Sequence, residues 1–187
     1  MVGTQCITYL LAVASLLALC TSAMGAVPAT GPPVLYPDTS LVVDGRPACT
    51  VFASSSDTDH AAVAQAVAEA LKGKYGVDFR IVPDAAVCPE PVTPIADQHR
   101  QTSLILVGNA YTNRAILPFY AGFKCGADAH YPGGEGYELR TISNPWGSGH
   151  NVVIVGFSTP EGGRGAVAAL GQMLPAVENG NASLPRL

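Results

Sequence analysis

Positive charge is scarce in this chain. It has 10 Lys and Arg against 14 Asp and Glu in 187 residues, a formal net charge of −4. The basic residues are scattered, so no stripe of them could track a phosphate backbone, and nucleic acid is not expected as a partner. Aromatics make up only 7%, with a single Trp, so the core must be built from Val, Ile, Leu and Ala. The four histidines (His60, His99, His130, His150) form no i,i+4 pair and no H-E-x-x-H. Each reads as a surface or structural histidine, and no metal is expected. No G-x-S-x-G elbow presents a nucleophilic serine. Carboxylates are present at Asp57, Asp59, Asp128, Glu135, Glu138 and Glu161. A glycosidase needs two of them facing across a cleft, and this spacing singles out no pair. No catalytic residue and no cofactor site emerges.

A phosphate loop is missing too, although one stretch invites the comparison. NPWGSGHNVVIVGFSTPEGGRGAVAAL, residues 144–170, reads as a hydrophobic strand, a glycine-bearing loop and an Ala-rich helix. A dinucleotide fingerprint needs G-x-G-x-x-G directly after the strand. Here Gly156 is followed by Phe157 and Ser158, and Gly162 and Gly163 lie past the helix start. A P-loop needs a Lys after its second glycine, and none stands there. Gly162 and Gly163 are expected instead to let the first helical turn lie close against the sheet.

What is present begins with an uncharged apolar run, CITYLLAVASLLALC over 6–20, followed by small residues at Ala23 and Gly25. The run is shorter than the roughly 20 residues a membrane span needs. Residues 1–25 therefore read as a cleaved secretory signal, giving a secreted or periplasmic protein; a membrane enters only if the signal stays uncleaved. Cys6 and Cys20 leave with it. Cys49, Cys88 and Cys125 remain, without C-x-x-C spacing. In an oxidising compartment one disulfide and one odd thiol are expected. Three pairings are open. Cys88–Cys125 is favoured because both lie in irregular segments, where the backbone can adjust to a bridge, whereas Cys49 abuts a strand.

With 20 Gly and 15 Pro, long turns should separate the elements. Residues 26–47 read as a Pro/Gly-rich linker, with LVVDG (41–45) as a short edge strand. CTVFAS (49–54) suits a buried strand. Ser56 or Asp57 caps a helix in which Val63, Val67 and Leu71 recur at four-residue steps, while Gln65, Glu69 and Lys72 take the other face. VDFRIV (77–82) completes a βαβ unit. SLILVG (103–108) should be the central strand, and 109–123 partly helical. YELRTI (137–142) and VVIVGF (152–157) are joined by a short connector that favours an antiparallel pair. Thr159 and Pro160 cap a last helix with Val167, Leu170 and Leu174 buried. Residues 176–187 read as a linker or tail carrying the sequon Asn181-Ala182-Ser183. Trp146, with Tyr131 and Tyr137 nearby in sequence, could stack on a sugar ring, though packing over the strand ends is the simpler account.

Taken in order, the strand–helix–strand start, LILVGNAYTN, GYELRTI and NVVIVGFSTPEGGRGAVAALGQML resemble the small α+β domain that precedes the barrel of β-N-acetylhexosaminidases and α-glucuronidases. Related copies precede catalytic regions of other polysaccharide-degrading enzymes. The resemblance covers roughly 48–175. It implies an α+β fold: a mixed sheet of about five strands with two main helices largely on one face, similar to a zincin fold without its metal. It also implies that catalysis belongs to a following barrel of about 250 residues. Three functions follow as expectations. The chain is an accessory module of a secreted carbohydrate-active enzyme, partnered by a catalytic domain or a polysaccharide. Alternatively it is a stand-alone glycan-binding protein, or a small secreted hydrolase with an unrecognised carboxylate site.

Overall fold

The computed structural model describes residues 38–90 and 93–187. The expected signal over 1–25 and the linker up to residue 37 lie outside the described residues. The chain order is β1 (Thr39–Val43), β2 (Arg46–Pro47), β3 (Cys49–Ala53), α1 (Thr58–Tyr75), β4 (Ile81–Pro83) and α2 (Asp84–Val87). A 3-10 turn (Asp97–His99) then leads to β5 (Ser103–Gly108), α3 (Leu117–Ala121), β6 (Tyr137–Ile142), β7 (Val152–Phe157), α4 (Pro160–Met173) and β8 (Ala182–Leu184).

The main sheet runs β4-β3-β5-β7-β6, with β6 antiparallel to β7 and the other pairs parallel. Every residue of β5 and β7 is buried, as expected for strands covered on both faces. Strand alternation divides their side chains between two cores. Ile105, Val107, Val153, Val155 and Phe157 meet Val63, Val67 and Leu71 of α1 and Ala166 and Leu170 of α4. Leu104, Leu106, Val152 and Ile154 point the other way, onto Val87, Ile95, Ile116 and Phe119. The two long helices thus share one face, and the fold is α+β.

Local signals place these helices. Asp57 caps α1, its carboxylate accepting the His60 N–H at 2.9 Å, and Gly76 ends the helix at φ 72°. Thr159 caps α4 by accepting from the Gly162 N–H, with Pro160 in the first turn. A Cβ on Gly163 would lie 2.7 Å from Val63, and one on Gly162 would lie 2.2 Å from the Gly136 carbonyl oxygen. The close approach expected of this glycine pair is therefore made by Gly163 to α1 and to Phe157 of the sheet, and by Gly162 to the turn before β6. β4 is shorter than the expected 77–82, and its closing Pro83 is tolerated because β4 is an edge strand.

Three expectations are corrected. Residues 39–47, read as linker with a short edge strand at 41–45, and 182–184, read as linker or tail, form a second sheet in the order β2-β1-β8, in which β1 is the central strand. Leu41, Val42, Ala182 and Leu184 from it are buried in the α1/α4 core. Beyond it, the Leu187 backbone exchanges hydrogen bonds with Thr141 at the edge of β6. The third correction concerns the Cys88–Cys125 bridge, which is not formed: Cys49, Cys88 and Cys125 are free, buried thiols. Cys88 is the C-cap of α2, its N–H bonded to the Asp84 carbonyl, and its side chain is buried in the second core. Burial pushes the thiol of Cys49 up to about 12 and that of Cys125 to about 11.

Val67→Asp would put an unpaired charge at a fully buried position. It should destabilise by about 3 kcal/mol or more, while Glu69→Ala on the exposed face should leave the melting temperature nearly unchanged. Thermal unfolding of the two variants checks the helix phase. Deleting 176–187 removes β8 and uncovers Leu41 and Val42. Burying such side chains is worth roughly 1.5–3 kcal/mol each, so this chain should melt well below the full-length one; equal melting curves would restore the reading of the segment as a tail.

Candidate functional site

The parallel strands β3, β5 and β7 all end at one edge of the sheet. From β3 the chain passes through α1 to β4 on one side, while β5 and β7 lie on the other. The crevice beyond the carboxyl ends of β3 and β5 is thus the topological switch point, where open sheets of this kind bind ligands. Polar side chains crowd there, and their bonding decides what the crevice can do.

Asp84, buried at 1% exposure, accepts three backbone N–H groups: Ser55 at 2.7 Å, Ala85 at 2.9 Å and Arg114 at 2.6 Å. It ties the loop after β3 to α2 and to the loop after β5. Asn113 donates to the carbonyls of Phe52 and Val107, at the ends of β3 and β5, and accepts the Ala115 N–H. Asn109 donates to the Phe157 carbonyl at the end of β7 and accepts from the Tyr111 and Thr112 amides. Ser54 accepts the Ser56 and Asp57 N–H groups.

His60 completes this layer. Its ring stacks on Phe157, with centroids 4.7 Å apart, and its Nε2 lies 3.3 Å from the Asn109 amide nitrogen. Because Asn109 is oriented by three backbone groups, its NH₂ faces Nε2, which must be the acceptor; the ring proton therefore sits on Nδ1. Nδ1 lies 3.0 Å from Asp57 Oδ1 without hydrogen-bond alignment. The Asp57 carboxyl is held below its ordinary value, chiefly by the His60 backbone N–H. His60 is thus a buried structural histidine. At the switch point Asp84, Asn109 and Asn113 are bonded to the protein's own main chain.

The sequence candidates for sugar binding separate in space. Trp146 packs against Phe119 (ring centroids 5.8 Å apart), with the Arg100 guanidinium 5.6 Å from its own ring centre. It lines a recess of about 160 Å³ with Pro118 and Pro145. Tyr137, at the far end of β6, lies beside Gly165 of α4. Tyr131 is 58% exposed and borders a different recess, of about 470 Å³, with Tyr120, Phe123, Cys125 and Asp128. Only Tyr131 among the three joins a wider set of aromatics.

That recess is built by the end of α3. The Lys124 N–H bonds the Phe119 carbonyl at 2.8 Å and the Phe123 N–H bonds that of Tyr120 at 3.0 Å, the paired bonds of a Schellman cap. Its left-handed position normally takes glycine. Here Gly122 comes one residue early, and Phe123 occupies the position at φ 55°, a conformation that costs a side chain roughly 1–2 kcal/mol. The Phe123 ring is 97% exposed. Across from it, Asp128 accepts the His130 and Tyr131 N–H groups at Oδ1 and the Tyr120 hydroxyl at Oδ2, 2.9 Å away. The two backbone bonds, with the phenol, hold Asp128 below the ordinary carboxylate value. Sequence reading named Asp128 only as one of several unpaired carboxylates and missed Tyr120 and Phe123, because a Gly-Phe pair does not disclose which residue turns left-handed.

The remaining carboxylates are engaged or exposed. Glu138 accepts the Gly126 N–H at Oε2 and pairs with Arg140 through Oε1. Glu161 pairs with Arg164, and Asp59 and Glu135 are exposed. Among the described residues no group of three or more His, Cys, Asp or Glu could hold a metal ion, and no helix is long and apolar enough to cross a membrane. The sheet order and this edge define an α+β protein with a mixed sheet. No family model matches the chain, and no curated protein matches its sequence.

Asp84→Ala leaves three backbone donors without their acceptor at the closed edge. It should destabilise by about 2–4 kcal/mol, measured by urea unfolding. A loss below about 0.5 kcal/mol would show that the three bonds do not hold the edge.

Proposed function

We propose that this chain is a non-catalytic accessory or interaction module of a secreted carbohydrate-active enzyme system, working beside a catalytic domain or on a polysaccharide. One observation carries the reading. At the switch point, Asp84, Asn109 and Asn113 are committed to the protein's own backbone, and His60 is sealed between Phe157 and Asn109. Side chains bonded in this way to the main chain have fewer groups left to offer a substrate, which supports an interaction role over catalysis. The resemblance of 48–175 to glycosidase accessory domains supports the carbohydrate context, and the apolar run over 6–20 supports secretion.

A second reading, a stand-alone glycan-binding protein, is favoured by the exposed aromatics Phe123 and Tyr131 beside Asp128. The two readings share the absence of turnover and differ in whether this chain meets the saccharide itself.

The purified full-length chain should show no turnover of aryl-glycosides or uronic-acid polysaccharides, and chelator treatment should leave its melting temperature unchanged. Activity that survives purification and disappears on mutation of a single Asp or Glu would overturn the accessory reading in favour of a small hydrolase.

A further inference from the structure

We propose that the recess lined by Tyr120, Phe123, Asp128 and Tyr131 binds the ring of a neutral hexopyranoside, stacked on the exposed aromatic faces with its hydroxyls donating to Asp128 and Tyr120. The inference rests on the carbohydrate-associated reading above and gives it a location and a ligand class.

Phe123 supplies the first argument. Its ring is 97% exposed, so packing does not require it, and it holds the left-handed position of the α3 cap, where glycine is favoured. An aromatic side chain both unpacked and conformationally disfavoured marks a place where folding and function pull apart. Tyr131, 58% exposed, borders the same recess, whose volume of about 470 Å³ is within the usual range for small-ligand sites.

Hydrogen-bond capacity selects the ligand. Two of the Asp128 carboxylate's lone pairs, on Oδ1, take the His130 and Tyr131 amides, and one on Oδ2 takes the Tyr120 hydroxyl. One site on Oδ2 stays open as an acceptor. The Tyr120 oxygen, having given its proton to Asp128, also offers only acceptance. A ligand must therefore bring donors, which sugar hydroxyls do. An anionic uronate is disfavoured by the charge of Asp128, whereas Glu138, against the neighbouring Gly126, is offset by its pairing with Arg140. A quaternary ammonium group would want rings closed around it, whereas the exposure of Phe123 and Tyr131 makes an open shelf.

The test titrates the full-length chain calorimetrically with cellotetraose, tetragalacturonate and choline. Cellotetraose should bind saturably with a Kd near the millimolar range, and the other two should not. Phe123→Gly should weaken cellotetraose binding at least tenfold while raising the melting temperature, since glycine relieves the cap. Met173→Ala, which removes another exposed apolar side chain, on the opposite face of the sheet, should leave binding unchanged. Cellotetraose binding that Phe123→Gly does not alter would overturn this site while leaving the carbohydrate reading standing. Absence of cellotetraose binding, or saturable binding of choline or tetragalacturonate in its place, would overturn the proposal. Turnover of glycosides, by contrast, would strike the accessory reading and not the recess.

Discussion

Parallel strands buried on both faces end in backbone groups that water cannot reach, and each must find a partner inside the protein. Here Asp84, Asn109 and Asn113 are those partners. Asn113 bridges the carbonyls of Phe52 and Val107, Asn109 reaches the carbonyl of Phe157, and Asp84 gathers amides from three segments. The ends of β3, β5 and β7 are thereby held in one register with the loops that follow them. The N-cap of α1 and the burial of His60 depend on the same layer, as His60 is held between Asn109 and Phe157 while its backbone is anchored to Asp57.

Closing that edge has a functional consequence. The crevice at a switch point is the usual binding place in an open sheet, but its polar side chains here are occupied by the main chain. The proposed binding recess lies instead at the turn after α3, where Phe123 and Tyr131 are exposed and Asp128 retains an acceptor. Local stability is partly given up there, through a phenylalanine in a position suited to glycine. The two regions thus contrast: an edge whose Asp84, Asn109 and Asn113 side chains are bonded to the main chain, and a rim whose aromatic side chains are left in water.

The small sheet shows how the ends of the domain join its core. β1 and β8 come from segments whose Pro, Gly and Asn content suggests linkers, yet they pair with each other and deliver Leu41, Val42 and Leu184 to the α1/α4 core. LVVDG suggests a short strand at β1, but its pairing with β8, so distant in sequence, leaves no local signal to read.

Much of the architecture was legible because it is periodic or chemically local. The apolar runs of SLILVG and VVIVGF mark strands covered on both faces, the four-residue steps Val63, Val67 and Leu71 mark the buried stripe of α1, and Asp57 and Thr159 mark caps whose partners lie three residues away. The short connector before β7 foretold the antiparallel edge. Tertiary structure alone decided the rest. Tyr131, Tyr137 and Trp146 are near in sequence but are sent to different surroundings, because strand alternation and the length of β6 divide them. Cys88 and Cys125 pack as small apolar groups in the core. Phe123 becomes exposed only because the bonds closing α3 put its backbone in the left-handed region. Periodicity and capping act over a few residues, and so are written in the sequence. Which distant side chains share a surface is set by how the sheet folds the chain back on itself.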